Sequence, residues 1–539
     1  FNRSNIINTY YYHKSSIRSR SIRGNIMQYL ETQVAVLGAG WAGVAATYHL
    51  VENGVADVLL VEGCAHIGGR SRKFDDFGGY TVEDGSNWIQ GTGNLKKQND
   101  FNPIWELANE YGLGKVKKKK HPFKSVGGGT VTQNYESYAI YNRAGERVAD
   151  KDIRWDDLEE GFQCHNELGT ELNLEFWKTG VWEEGISQGD LLRQCGWDAV
   201  TPIDDVTEYF EMDWEWGSPP DETSGYASPV WGYGDFEDED EFVIDQRGFQ
   251  YLAESLLGEV FEEDDDRLMM ETLVTNIDWE PSSCPQAFSS GCVEITTSSA
   301  SDGPFKIVAE FAIVTFSSGV LKHDHETLFT PALPATNLNA LNKLKTGLYT
   351  KVFFQFEEKF WDDTEFILIA TEFRADSPLW QSLDMKKQLQ GSRILFVTLT
   401  GEEGVRAETL TEEEVKEEQL TYLRTAYGDK VTEPINFHIA RFLNDPLFRL
   451  AWGDWGLETP PNVSDLIRTP LVNQNNQRNV YLSGESTCRR YYGFTHGGYL
   501  AGKRDALEIM NEMGMDVGSE TACENQNPSN GGPPYGNPK

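Results

Sequence analysis

VAVLGAGWAGVAATYHLVENGVADVLLVEGCAHIGGRSR, residues Val34 to Arg72, decides how this chain is read. Gln33 to Leu37 reads as a short buried strand. Gly38, Gly40 and Gly43 then supply a tight turn, a close backbone approach to a pyrophosphate and a close helix–strand contact. The helix that follows, Ala42 to about Asn53, carries Val44, Tyr48 and Val51 at helical spacing and stops at Gly54. A phosphate is expected on the amides at its start. Val58 to Val61 forms a second strand, and Glu62 ends it 19 residues after Gly43. That is close to the offset of about 20 at which a carboxylate takes the ribose hydroxyls. Gly69 and Arg70, in the run His66 to Arg70, add a second backbone nest with a fixed cation beside the same pyrophosphate. Together these elements point to FAD rather than a nicotinamide dinucleotide.

The chain has 539 residues, 39% of them hydrophobic, with no uninterrupted apolar run of membrane length. A large soluble protein with two intertwined domains is expected. Eighty-five acids against 47 bases give a net charge of −38, which opposes binding to nucleic acid or to anionic lipid and favours cationic ligands. Acidic runs such as Glu237 to Glu241, Glu262 to Asp266 and Glu412 to Glu414 read equally as solvated surface, and Lys115 to Lys120 reads as a solvated loop.

Residues 1–30 hold five Lys or Arg and no acid, and read as a leader or disordered segment, with Met27 as an alternative start. The compartment stays open between cytoplasm and secretion. Residues 516–539 read as a disordered tail, Pro/Gly/Asn-rich from Glu524. Among seven cysteines, Cys284 and Cys292 flank a turn and are placed to bridge; Cys64, Cys164, Cys195, Cys488 and Cys523 show no metal spacing and are expected as unpaired thiols. Nine scattered histidines give no metal site. Asn2 and Asn462 lie in sequons, a pattern that also arises by chance. Oligomeric state is not readable.

From about Gln33 to about Met510 the chain resembles the flavin-containing amine oxidase family, and within it the polyamine oxidases of plant and fungal type. The markers are LGAGWAG, HIGGR, Gly85 to Trp88, DQRG at Asp245 to Gly248, YTKVF at Tyr349 to Phe353, SGEST at Ser483 to Thr487 and YGFTHGGYLAG at Tyr492 to Gly502. The resemblance implies an α/β fold: a Rossmann-like FAD-binding domain of the amine oxidase and glutathione reductase type, interleaved with a mixed-sheet, α+β substrate-binding domain. The first would come from residues 31–105, 240–330 and 450–515, the second from 106–239 and 331–449.

It also implies site roles. Asn87 and Trp88 would lie at the cofactor, and Val274, in the strand Leu273 to Asp278, would meet the adenine. Ala312 to Phe316 would be the next buried strand. Gly484 and Glu485 would lie on the ribityl and phosphate side, with Gly493, Phe494 and Thr495 near the isoalloxazine. Covalent-flavin relatives carry a cysteine in the segment that here reads Arg449 to Trp455, which has none, so FAD is expected to be non-covalent.

Lys351 is the expected catalytic residue. Strand alternation puts it on one face with Tyr349 and Phe353, where burial is costly without a partner. The resemblance supplies a water between this amine and the flavin; an exposed edge strand is the alternative reading. An amine is oxidised as its free base, while its remote ammonium groups need carboxylates or aromatic faces. Trp452 and Phe494 match the aromatic sandwich, Glu215 matches a tunnel carboxylate, and Trp88, Trp214 and Gln90 flank the channel. Gln90 stands where plant-type enzymes have Glu, which points to a shorter, acylated or differently placed amine.

The expected reaction turns a polyamine (spermine, spermidine or an acetylated form) and O2 into an aldehyde, a shorter amine and hydrogen peroxide. Oxidation of another amine or of an L-amino acid is the alternative, and a non-catalytic flavin-binding scaffold the alternative of a different class.

Overall fold

The Tyr29–Leu37 strand, the Trp41–Glu52 helix and the Val58–Val61 strand form one parallel strand–helix–strand unit, with Val34 opposite Val58 and Leu37 opposite Val61. The structure is a computed structural model that describes residues 29–93, 101–114, 129–227, 236, 239–299, 303–374 and 379–524. The first strand starts at Tyr29 rather than Gln33, because Tyr29 to Thr32 keep pairing with Lys306 to Ala309. The expected boundary at residue 30 therefore moves back, and residues 1–28 lie outside the described residues, as does the run Lys115 to Lys120. Gly54 follows the helix at φ +98°, the left-handed region in which glycine is unstrained.

A nine-stranded sheet grows around this unit from distant parts of the chain. Its order runs Phe329–Thr330, Thr272–Asp278, Val293–Ser299, Gly303–Val314, Tyr29–Leu37, Val58–Val61, Leu268–Met269. Arg478–Leu482 pairs in parallel with the end of Gly303–Val314, Ala312 opposite Val480. The strand read as Ala312 to Phe316 thus begins at Gly303 and ends at Val314. Near-continuous apolar runs such as VLLV, buried at all four positions, are what a parallel sheet covered on both faces requires.

A second, six-stranded sheet has the order Asn436–Ile439, Tyr349–Gln355, Ile394–Thr400, Leu379–Ser382, Phe366–Ile369, Tyr138–Tyr141. Tyr349–Gln355 has partners on both sides, so the lysine at its third position is on an interior strand, not an exposed edge. Between the larger sheets lies a small one in which Glu241–Val243 pairs with both Trp88–Ile89 and Thr130–Thr132.

The expectation of unpaired thiols is overturned at four positions. Cys164–Cys195 and Cys488–Cys523 are disulfides alongside Cys284–Cys292, with Cα separations of 5.8, 4.6 and 5.6 Å, inside the bridging range. Linear spacing could not show the first: Cys164 lies in the Trp155–Thr179 helix and Cys195 ends the Gln188–Gln194 helix, and their packing through Leu158, Leu192 and Trp197 brings the sulfurs together. Among the described cysteines Cys64 alone is free, and it is buried. The Cys523 bond also ties residues 516–524 to the body, so the expected tail is structured up to Glu524; residues 525–539 lie outside the described residues. No helix among the described residues is long and apolar enough to cross a membrane.

Candidate active site

One cavity of about 650 Å³ draws its walls from both large sheets, within the range of about 300–1,000 Å³ usual for ligand sites. Its first end is the glycine turn. Gly38, Gly40, Glu62, Gly69 and Val274 line it. Gly43 sits behind them, where a Cβ would stand 1.8 Å from the Gly38 carbonyl oxygen; it is glycine so that helix and strand can touch. Gly40 is different. A Cβ there would meet nothing nearer than Gly69 Cα at 3.9 Å, and its φ of −72° suits any residue. Packing of the protein alone does not demand glycine at this position, so a group brought against the turn does.

That turn opens the Trp41–Glu52 helix, whose first amides take no side-chain cap, leaving them for an anion. The last helix, Thr495–Glu512, begins uncapped at the same cavity. The two helices touch closely, since a Cβ on Gly502 would fall 1.9 Å from Ala42 O. Glu62 is fixed by two N–H donors, Ala39 at 2.5 Å and Cys64 at 2.7 Å, and its remaining lone pairs suit ribose hydroxyls. Glycine turn, carboxylate and two helix starts fit the diphosphate and ribose of FAD.

The middle of the cavity is held by Arg70 and Glu485. Arg70 Nη1 donates to Glu485 Oε1 at 2.9 Å and Nη2 to Oε2 at 2.7 Å, with a further bond from Nη1 to Ala451 O. Burial pushes the Glu485 carboxyl up, but the Arg70 guanidinium outweighs it and holds the pKa below its usual value. Asn87, Gly484 at φ +126°, Gly493 at φ +83° and Thr495 line the same stretch.

The far end is aromatic. Trp88, Trp214, Tyr349, Trp452 and Phe494 line it. Trp88 meets Trp214 edge-on at 5.4 Å, Trp452 packs on Tyr349 at 5.3 Å, and Phe494 stacks on His496 at 4.8 Å. Glu215, from the Trp214–Trp216 turn, and neutral Gln90 line it as well.

Lys351 does not line the cavity but lies behind its wall, 1% exposed. Its Nζ donates to Glu83 O at 3.2 Å, to Gly85 O and to Asn87 Oδ1, and sits 5.3 Å from the Trp88 ring centroid. These three protein acceptors lie on the segment carrying Asn87 and Trp88. Burial pushes the ammonium down, to about 7, against the pull of Glu83 and Asp84. Burial likewise drives the neighbouring Glu83 carboxyl up, against the Phe249 N–H and Lys351. Both members of the pair are thus moved toward their neutral forms.

Asp240 and Tyr135 also line the cavity, and sequence reasoning passed over both. Asp240 belongs to the acidic run Glu237 to Glu241 that reads as solvated surface. Asp240 is instead 8% exposed, and Glu241 is fully buried, accepting bonds from Thr130 and Thr132. The signal available was the apolar run Phe242 to Ile244, which follows these acids directly and marks a buried strand that begins at Glu241.

The sequence profile of the flavin containing amine oxidoreductases matches residues 41–510. Polyamine oxidase 1 of Zea mays is 29% identical over 500 residues, spanning 90% of this chain and 92% of the relative. Polyamine oxidase 7 of Oryza sativa subsp. japonica is 30% identical over 482 residues, 87% and 93% of the two chains. In fold, a solved putrescine oxidase bound to putrescine superposes with a TM-score of 0.67 at 18% identity, over 90% of this chain and all of that one.

Proposed function

The chain belongs to the flavin containing amine oxidoreductase family, and from that premise we propose that it oxidises a polyamine at a carbon next to a secondary amine, releasing an aldehyde, a shorter amine and hydrogen peroxide. The observation that carries this reading is the composition of the cavity's far end, where aromatic faces and carboxylates line the same wall. Such walls hold ammonium groups. The relatives' names, polyamine oxidase in maize and rice, support the same substrate class. An amino acid fits less well. The two arginines that line the cavity, Arg70 and Arg449, are paired with Glu485 and Asp324, so neither is poised as a clamp for a substrate carboxylate.

The described residues fit FAD, which when bound supplies the two-electron acceptor for the amine. Gly38, Gly40, Gly69 and the two helix starts would hold its diphosphate, Glu62 the ribose, Val274 the adenine side, and Arg70, Asn87, Gly484, Glu485, Gly493 and Thr495 the flavin half. No cysteine lines the cavity among the described residues, which supports non-covalent attachment. Trp88, Trp452 and Phe494 would hold the reacting carbon in place and keep water out. Lys351, its pKa lowered by burial, would hold Asn87 in place and accept or release a proton beneath that wall. The two large sheets would serve as cofactor and substrate domains.

Three disulfides support a compartment outside the reducing cytosol. To test the activity, flavin-loaded protein is mixed anaerobically with spermine, spermidine, N1-acetylspermine, a monoamine and an L-amino acid. Bleaching by a polyamine, with peroxide on readmitting air, is the expected result; bleaching by the amino acid alone, or by nothing, rejects the reading.

A further inference from the structure

We infer that Asn462 carries an N-linked glycan whose first sugar rests in an open groove beside it, outside the catalytic cavity. This rests on the compartment proposed above, outside the reducing cytosol, and not on the reaction. Asn462, Val463 and Ser464 form a sequon, the acceptor triplet for N-glycans in secreted proteins. Such a triplet also arises by chance, but here the folded protein gives neither of its polar side chains a structural task.

Asn462 stands at the N-cap of the Val463–Ile467 helix, where an asparagine side chain ordinarily accepts a bond from a helix N–H. It makes no such bond, and it is half-buried rather than enclosed. Ser464 is fully buried, and among the described residues its hydroxyl has no hydrogen-bond partner. A buried, unpaired hydroxyl destabilises a fold, so alanine would serve the folded protein better. The hydroxyl is of use before folding, while the sequon is open to a transferase. There the Asn462 Nδ2 bonds to the anomeric carbon of a diphosphate-activated oligosaccharide. The bond from that carbon to the phosphate oxygen breaks, its electron pair leaves on the diphosphate, and the amide gives up one proton.

Asn462 lines the groove, of about 480 Å³, together with Phe176, Trp182, Lys343, Pro460 and Leu466. No residue of the groove lines the catalytic cavity. Trp182 is held in place there: Lys343 Nζ lies 5.3 Å from its ring centroid, and Tyr226 meets it edge-on at 6.0 Å. The C–H face of a pyranose is apolar and gains by leaving water against aromatic and aliphatic side chains, while its hydroxyls stay in solvent. A sugar linked to Asn462 starts in the groove's own wall, so attachment supplies the effective concentration that a free saccharide lacks.

The experiment is peptide mapping by mass spectrometry of the protein isolated from the cells that make it, before and after peptide N-glycosidase, with thiol titration of the same sample. The map separates Asn462 from the other sequon, at Asn2. The expected result is a glycan on the Asn462 peptide that the glycosidase removes. Produced in a eukaryotic secretory host, Ser464→Thr keeps this glycan, and Ser464→Ala loses it while still loading flavin. Native, flavin-loaded Trp182→Ala releases the glycan several-fold faster than the wild type; equal rates overturn the seat in the groove. An unmodified Asn462 with the three disulfides intact overturns the inference while the compartment reading stands. Free thiols at those cysteines overturn that reading, and this inference with it. The wild-type map decides the attachment even if a variant fails to fold.

Discussion

Arg70 and Glu485 stand 415 residues apart in the chain and meet in a two-pronged ion pair inside the cavity. Arg70→Leu leaves a buried carboxylate without its partner and is expected to lower stability by about 3–5 kcal/mol. Arg70→Leu with Glu485→Leu recovers most of that loss, since two apolar groups need no partner. Denaturant midpoints of the three proteins check this.

The same pair sets an acid limit. In the folded protein the Glu485 carboxyl is held below its ordinary value of 4.5, to which it returns on unfolding. The stabilisation it contributes is full above about pH 4.5 and is lost as pH falls through the lower folded value. Glu485→Gln removes this component, so the variant's unfolding midpoint falls less steeply with acid than the wild type's over that window. Equal slopes in the two proteins reject the assignment.

Two glycines of the turn are predicted to fail differently. Gly43→Ala forces a Cβ onto the Gly38 carbonyl, a backbone atom that cannot move aside, and is expected to yield unfolded or aggregated protein. Gly40→Ala has room and an ordinary φ, and is expected to fold with near-normal far-ultraviolet dichroism but without flavin absorbance. A Gly40→Ala protein that retains stoichiometric flavin contradicts the cradle.

Lys351→Met is expected to lower turnover by about 10²–10⁴, the usual contribution of a positioned proton-transfer group. The wild type's saturated turnover rises with pH through about 7, as the buried amine loses its proton; this step belongs to the Lys351–Glu83 pair as a unit. The variant should lose that limb. A variant that retains the wild-type profile would place the titration elsewhere.

Replacing Cys488 and Cys523 with serine opens a bridge between residues 35 apart and is expected to lower stability by about 2–4 kcal/mol. Because Cys488 follows the Glu485–Thr487 turn directly, flavin release on heating should come earlier too. Fluorescence of the freed flavin during a thermal ramp measures both.

The glycine turn, its helix and the acid after it were legible because each depends on neighbours in the chain: φ preferences, helical spacing and a strand of four apolar residues. Lys351 was legible only through the family resemblance, since the aromatic alternation around it fits an exposed edge strand as well, and its acceptors lie some 265 positions earlier, on another element. Asp240 was hidden for the same reason. Alone it belongs to an acidic run; only the register between Trp88–Ile89 and Glu241–Val243 carries it into the cavity. Cys164 and Cys195 were read as thiols because their meeting is a property of two packed helices.

The close contact of Gly502 with Ala42 carries a consequence in time. A ribosome adds about 5–20 residues per second, so the opening turn leaves the exit tunnel tens of seconds before the helix that covers it is made. Through that interval the nascent chain exposes a strand and helix whose buried faces have no cover. Chaperone dependence during translation, and sensitivity to how fast the message is read, follow from the order in which these two glycine-bearing helices are synthesised.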